Sequence, residues 1–383
     1  MEADLPDSKG RTTMRKKSLT KYTNFIVKEA QALLAVDSPT GYTRGAAEWV
    51  LGEFRSLGYE PKLTVKGGVL VKLSDGPECC YQNDNCCDEN YNNLPCCGAE
   101  GCGLLLEAHA DTLGVMVSKI RSDGRLEVTP LGGMNANNAE AENVRVVTKY
   151  NGIYEGTCQL ANASVHVNGK YNDTKREWKE MEIVLDEPVK EEKDVEKLGI
   201  GVGDIICFDP RTRVTKSGYI KSRFLDDKLS VAILLGYAAY LKDSGAKTSR
   251  PVWAHVTTYE EVGHGGSGSV PEGVTEALSV DMGCVGEGLS CTERQVSICA
   301  KDSGGPYRYD IVKGLMDAAK SSGADYAVDI YPHYGSDVEA TLAAGYDIKH
   351  GLIGPGVYAS HGYERSHKDG VENTLRLLIG YTI

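Results

Sequence analysis

The segment Gly103-Leu104-Leu105-Leu106-Glu107-Ala108-His109-Ala110-Asp111 decides the reading of the fold. A short, nearly continuous apolar run is what a strand buried on both faces shows, and this one delivers a histidine and an aspartate where it ends. Two further strand-like runs end the same way. Residues 252–259 lead into Glu260-Glu261, and Leu278-Ser279-Val280 leads into Asp281. Apolar residues recur at helical spacing over 17–37 and 45–57, with Ser38-Pro39-Thr40-Gly41 between them, and again over 229–241, 309–320 and 370–379. Strands alternating with helices predict an α/β fold with a mixed, mainly parallel central sheet flanked by helices.

The texture changes over 115–218. Short alternating stretches such as Arg125-Leu126-Glu127-Val128-Thr129-Pro130 and Met181-Glu182-Ile183-Val184-Leu185 are separated by Gly, Asn and Asp. This predicts a small inserted all-β domain. The expected organisation is the first part of the α/β domain at 1–114, the insertion at 115–218, and the rest of the α/β domain at 219–383.

The chain has 383 residues, 41% hydrophobic and 25% charged, which excludes disordered, fibrous and membrane classes. Its 42 Lys+Arg against 54 Asp+Glu give a net charge of -12, which argues against nucleic acid or anionic membrane as partners. No apolar run approaches the roughly 18 residues of a membrane helix, and the opening MEADLPDSKGRTT has no apolar signal core, so a cytoplasmic protein is expected. Seven of the 12 cysteines are Cys79, Cys80, Cys86, Cys87, Cys96, Cys97 and Cys102. Their spacing does not suit a tetrahedral zinc finger, and the Asn, Asp, Glu, Gly and Pro around them read as a solvent-exposed excursion, with metal or disulfide chemistry as the other reading.

In open α/β sheets, ligands gather beyond the carboxyl ends of the strands, so His109, Asp111, Glu260, Glu261 and Asp281 should converge there. Asp226-Asp227, before the 229–241 helix, and His361 or His367 in the late loop are further candidates. Histidines with carboxylates and no cysteine favour zinc, cobalt or manganese. Burying several carboxylates costs several kcal/mol each, and a divalent ion is the simplest offset. Taken singly, each motif is more often a solvated or structural feature; the combination carries the inference. His166, His255, His333 and His350 have no partnered motif, and His264 stays uncommitted. Gly263-His264-Gly265-Gly266-Ser267-Gly268 matches a dinucleotide fingerprint. The two glutamates before it would repel pyrophosphate, and Pro271 interrupts the helix that should follow, so the match is read as chance.

Taken in order, His109-x-Asp111-x-x-Gly114, Leu225-Asp226-Asp227-Lys228, Glu260-Glu261-Val262-Gly263-x-x-Gly266, Val280-Asp281 and Tyr358-x-x-His361 resemble the dinuclear-metal aminopeptidases of the tetrahedral aminopeptidase and glutamyl aminopeptidase family. The resemblance implies a metal-dependent aminopeptidase that removes amino-terminal residues from peptides, with two divalent ions per subunit, zinc or cobalt. It implies that Asp226 bridges the ions, that His109 and Asp281 complete one site and Glu261 and His361 the other, and that Glu260 is the general base for a metal-bridged water. Asp111 would hydrogen-bond the far nitrogen of His109. The resemblance also implies that the insertion serves association into a homo-oligomer, a dodecamer in which twelve subunits can enclose a chamber. This sequence departs from the pattern at Lys228-Leu229-Ser230, at His361-Gly362-Tyr363-Glu364, in a longer middle and in the cysteine-rich excursion. Two other readings use the same residues: a hydrolase of another bond, such as an amidase, deacetylase or glycosidase, and a metal-stabilised scaffold without turnover.

Overall fold

A computed structural model describes residues 19–77 and 102–383. Helices α1 (Thr20–Leu34) and α2 (Arg44–Ser56) precede β1 (Lys62–Leu63), β2 (Val69–Ser74) and β3 (Gly103–His109). Next come β4 (Gly114–Ile120), β5 (Leu126–Leu131), β6 (Glu142–Val147), β7 (Ile153–Leu160), β8 (Met181–Leu185), α3 (Glu192–Lys197) and β9 (Ile205–Phe208). The chain then forms β10 (Arg213–Val214), β11 (Tyr219–Ser222), α4 (Leu225–Ser244), β12 (Val252–Thr257), β13 (Val274–Val280), β14 (Gly283–Val285) and β15 (Val296–Lys301). It closes with α5 (Tyr309–Ser322), β16 (Tyr326–Ile330), α6 (Asp337–Ala343), β17 (Lys349–Tyr358), β18 (Glu364–His367) and α7 (Lys368–Thr382).

One large sheet runs in the order β1-β2-β12-β3-β13-β17-β18-β11-β10, with β14, β15 and β16 joined to it through β17. Its centre, β12-β3-β13-β17, is parallel, and antiparallel pairs extend it at both sides. All seven residues of β3 are buried, as its apolar run required. Helix α4 is buried almost all round, because α1 covers it on one side and the sheet on the other. Gly236 permits the close approach of α1: a Cβ there would lie 2.2 Å from Ile26. The mixed sheet with flanking helices is the fold class expected.

Strands β4-β5-β8-β7-β6-β9 close into a small barrel by antiparallel pairing throughout. Closure leaves no free edge, and Val115, Leu126, Val144, Val146, Ile183 and Ile206 fill the interior. Six of the clustered cysteines, Cys79, Cys80, Cys86, Cys87, Cys96 and Cys97, lie outside the described residues; Cys102 is buried just before β3.

Candidate metal centre

Each residue of the centre is delivered by the end of an element. Strand β3 brings His109, 1% exposed, whose Nδ1 lies 2.9 Å from the Asp111 carbonyl. A carbonyl only accepts, so Nδ1 carries the hydrogen and Nε2 faces Asp226, 3.1 Å from its Oδ1. The Asp111 carboxylate stands farther from Nδ1, at 3.6 Å. It instead accepts from the Thr40 hydroxyl at 2.7 Å and from the amides of Glu260 and Glu261 at 3.1 and 3.3 Å. Asp111 thus orients the histidine through its backbone and pins the glutamate turn through its side chain.

That turn solves a geometric problem. Consecutive residues of an extended strand point to opposite faces. Strand β12 stops at Thr257, Tyr259 takes a left-handed φ of 68°, and Glu260–Val262 curl into a single 3-10 turn. Glu260 Oε2 then lies 3.7 Å from His109 Nε2, and Glu261 Oε2 lies 3.5 Å from His361 Nε2. Asp281 follows β13, with its Oδ1 accepting from the Met282 amide at 2.5 Å.

Asp226 sits at the entrance to α4 with non-helical backbone angles, so the regular helix begins after it. Its amide donates to Glu364 Oε2 at 3.1 Å, and the amide of His361 donates to Glu364 Oε1 at 3.0 Å. One carboxylate therefore ties the start of α4 to the histidine loop. Phe224 and His361 hold left-handed φ angles of 67° and 61°. For non-glycine residues such angles cost about 1–3 kcal/mol each, and they persist only where surrounding contacts enforce them.

His361 also reaches the barrel. Its Nδ1 lies 3.3 Å from the Gly133 carbonyl, and Asn138 Nδ2 donates to the His361 carbonyl at 3.2 Å. Nε2 is left facing Asp226 Oδ2 at 3.5 Å. The structure does not bring the alternative, His367, to the cluster. Its Nε2 donates to the Ser217 carbonyl at 2.7 Å, and its Nδ1 caps α7 by accepting from Asp369. Asp227 is fully buried behind the centre, where Oδ2 accepts from the His109 amide at 3.2 Å.

Two triads result, His109 with Asp226 and Asp281, and Asp226 with Glu261 and His361; in each, ligand-type atoms lie within 4.8 Å of one another. Among the described residues, every ion pair made by Asp226, Glu260 and Glu261 is with one of these two histidines. The electrostatics show the deficit. Burial, and then the charge of Asp226, push the Asp281 carboxyl up to about 8. Burial raises Glu260 and Glu261 well above the usual carboxylate range, and neighbouring acids add to it. Burial also acts on Asp226, but its hydrogen bond to His109 and the two imidazole charges outweigh it and hold Asp226 low. Four clustered carboxylates with only two imidazoles against them fit a pair of divalent cations.

Sequence reasoning missed Glu364, Thr40 and Asp337. Glu364 stood in the late loop but showed no pairing in sequence, and Thr40 looked like punctuation between helices. Asp337 is 2% exposed in α6, a helix not expected, and accepts from Thr257 at 2.6 Å. The glycine run after Glu261 also finds its explanation. A Cβ at Gly265 would lie 1.7 Å from Asp337 Oδ1, and one at Gly266 would lie 2.3 Å from Thr341. The glycines let this loop lie flat on α6. Asp226, Glu260, Glu261, Asp281 and His361 all open onto one cleft of about 810 Å³.

A sheet whose strand ends gather histidines and carboxylates around a cleft is the frame of an α/β hydrolytic enzyme. Residues 97–377 match the M42 glutamyl aminopeptidase family. The chain is 39% identical over 356 residues to the Bacillus subtilis (strain 168) protein called "Putative aminopeptidase YhfE", covering 93% of this chain and 96% of that one. Its fold is similar to that of aminopeptidase APDkam598 from Desulfurococcus kamchatkensis, with a TM-score of 0.77, 22% identity, and 95% and 94% of the two chains covered. It is equally similar, at TM-score 0.77, to the Pyrococcus horikoshii TET1 peptidase, which can assemble into a tetrahedron or a large octahedral shell; identity is 19% and coverage 93% and 98%. The chain belongs to the M42 glutamyl aminopeptidase family, and its class of activity is that of an aminopeptidase.

Proposed function

We propose that this protein is a dinuclear metallo-aminopeptidase that removes amino-terminal residues from peptides. His109, Asp226 and Asp281 would hold one divalent ion, and Asp226, Glu261 and His361 the other, zinc or cobalt in each. The observation that carries this reading is the pair of triads sharing Asp226, with carboxylates whose only ion-pair partners among the described residues are imidazoles. Bound ions would supply Lewis acidity, lowering the pKa of a water molecule toward neutrality and stabilising negative charge on the scissile carbonyl oxygen.

The chain's own residues do the rest. Glu260 accepts the attacking water's proton and returns it to the leaving amine. Its raised proton affinity suits that task, because a base works best when its pKa lies near the working pH. Asp111 and Thr40 fix the turn that carries Glu260, so the carboxylate meets the substrate already in place. Glu364 holds Asp226 and His361 in mutual register. Residues 115–218 would form the association domain of a dodecameric homo-oligomer, and the setting would be cytoplasmic. Among the described residues no helix is long and apolar enough to cross a membrane.

Glu260→Gln tests the assignment. The turnover number should fall by about 100- to 10,000-fold while elemental analysis still finds two equivalents of metal. Unchanged turnover, or wild-type protein that stays active after exhaustive chelation, would refute the mechanism.

A further inference from the structure

The two glutamates of the 3-10 turn are backed by different parts of the molecule. A Cβ on Gly132, just after β5 of the barrel, would lie 3.2 Å from the Glu261 Cβ, whereas one on Gly265 would lie 3.0 Å from the Glu260 Cβ. Glu261 therefore leans on the barrel side, and Glu260 on the glycine-rich loop that follows the turn. Four of the six residues over 263–268 are glycine, so the loop has almost no side chains to pack with and the most freely rotating backbone in the chain.

Hydrogen bonds take the place of packing. At the root of the loop, the Gly263 amide donates to the Glu260 carbonyl at 2.7 Å and the His264 amide to the Tyr259 carbonyl at 2.9 Å. On the inner side, the Thr341 hydroxyl of α6 donates to the Gly266 carbonyl at 2.9 Å. On the other side stands Lys66. Its ammonium donates to the carbonyl of His264, to that of Gly265 at 2.5 Å and to Ser267 Oγ at 2.9 Å, which commits all three of its hydrogens to this one loop.

Lys66 is itself fixed. It lies in the turn between β1 and β2, closed by the Thr64 amide donating to the Gly68 carbonyl at 2.8 Å, with Gly67 at a left-handed φ of 98°. The Thr258 hydroxyl donates to the Lys66 carbonyl at 3.2 Å, and a Cβ on Gly68 would lie 2.5 Å from the Val256 carbonyl oxygen. The turn is thus pressed against the end of β12, the strand that delivers Glu260.

We propose that Lys66 is a positioning residue for the general base: it clasps the glycine-rich loop against Glu260 and takes no part in holding metal. The inference rests on the aminopeptidase reading with Glu260 as base, and adds a residue to it. No neutral side chain offers three donors from one atom, so the clasp needs an ammonium.

Kinetics of Lys66→Met on metal-loaded enzyme test the clasp. With the best-cleaved aminoacyl-p-nitroanilide, kcat should fall by about 10- to 100-fold, the scale of a misplaced catalytic group, while KM stays within about twofold and two metal equivalents are retained. Lys66→Arg, which keeps charge and donors, should recover part of the loss. In a Glu260→Gln background no base remains to be positioned, so Lys66→Met should cost less than about threefold more. An equal loss in both backgrounds, or loss of a metal equivalent from Lys66→Met, overturns the proposal. If Lys66→Met fails to fold, Ser267→Ala, which removes a single acceptor, takes its place: a smaller fall in kcat that vanishes in the Glu260→Gln background supports the clasp, and an equal fall in both overturns it. Full turnover by Glu260→Gln alone would instead remove the base assignment itself, a result readable without any Lys66 variant.

Discussion

The two halves of the proposed metal centre are built from different material. His109 ends β3 and Asp281 follows the adjacent parallel strand β13, and they are 1% and 5% exposed. Glu261 and His361 sit on turns, and the His361 side chain is 39% exposed. The strand-held half inherits its geometry from the sheet ladder, whereas the loop-held half depends on Asp111, Glu364 and the barrel residues Gly133 and Asn138 to hold shape. The first half is therefore expected to bind its ion more tightly and to survive more substitutions around it.

The largest effect should come from removing what the halves share. Asp226→Ala should lose both metal equivalents by elemental analysis and cost more activity than the about 100- to 10,000-fold expected of Glu260→Gln. Retention of either ion would show that the halves do not depend on one shared carboxylate. His361→Ala should release one equivalent and keep the other, which calorimetric titration with zinc would register as a change in stoichiometry from two to about one. Asn138→Ala should weaken only the looser equivalent, by about 10- to 100-fold, the usual effect of groups that support ligands from behind. Equal weakening of both ions by this variant would erase the distinction.

The smallest predicted effect is on stability against pH in metal-free protein. Asp281 and Asp337 titrate at about 8 and about 7 when folded, above the usual carboxylate value near 4. Between those limits the folded state holds protons that the unfolded chain has released, so stability falls as pH rises from about 4 to about 8. The raised value of His109 acts in the same direction. Thermal melts of chelated protein should therefore drop between pH 5.5 and 8 (roughly the window set by these groups), and saturating zinc should flatten the trend.

How much of this was legible in the chain followed a physical divide. Buried parallel strands carry nearly continuous apolar runs, so β3, β12 and β13 could be read, and with them the residues at their ends. The helices over 17–37 and 229–241 stand as Thr20–Leu34 and Leu225–Ser244, because amphipathic spacing locates a helix better than its ends. Strand β17 was hidden: Gly351, Gly354, Pro355 and Gly356 break its pattern, although a Cβ at Gly354 would lie 1.7 Å from the Asp281 carbonyl and the chain can pass there only as glycine. Helix α3 within the β region and α6 beside the cleft were too short to show a period. Glu364, Thr40 and Asp337 could not be found locally, since each acts across a separation of 71 or more residues from at least one partner.

The grip of Gly133 and Asn138 on His361 bears on anyone tempted to whittle the molecule down. Excising the barrel and splicing the strand ends with a short linker would leave most side chains of the candidate site encoded, yet the late histidine would lose the backbone acceptor that orients its ring. The miniature enzyme would thus be crippled from within its own subunit, before any question of assembly arose.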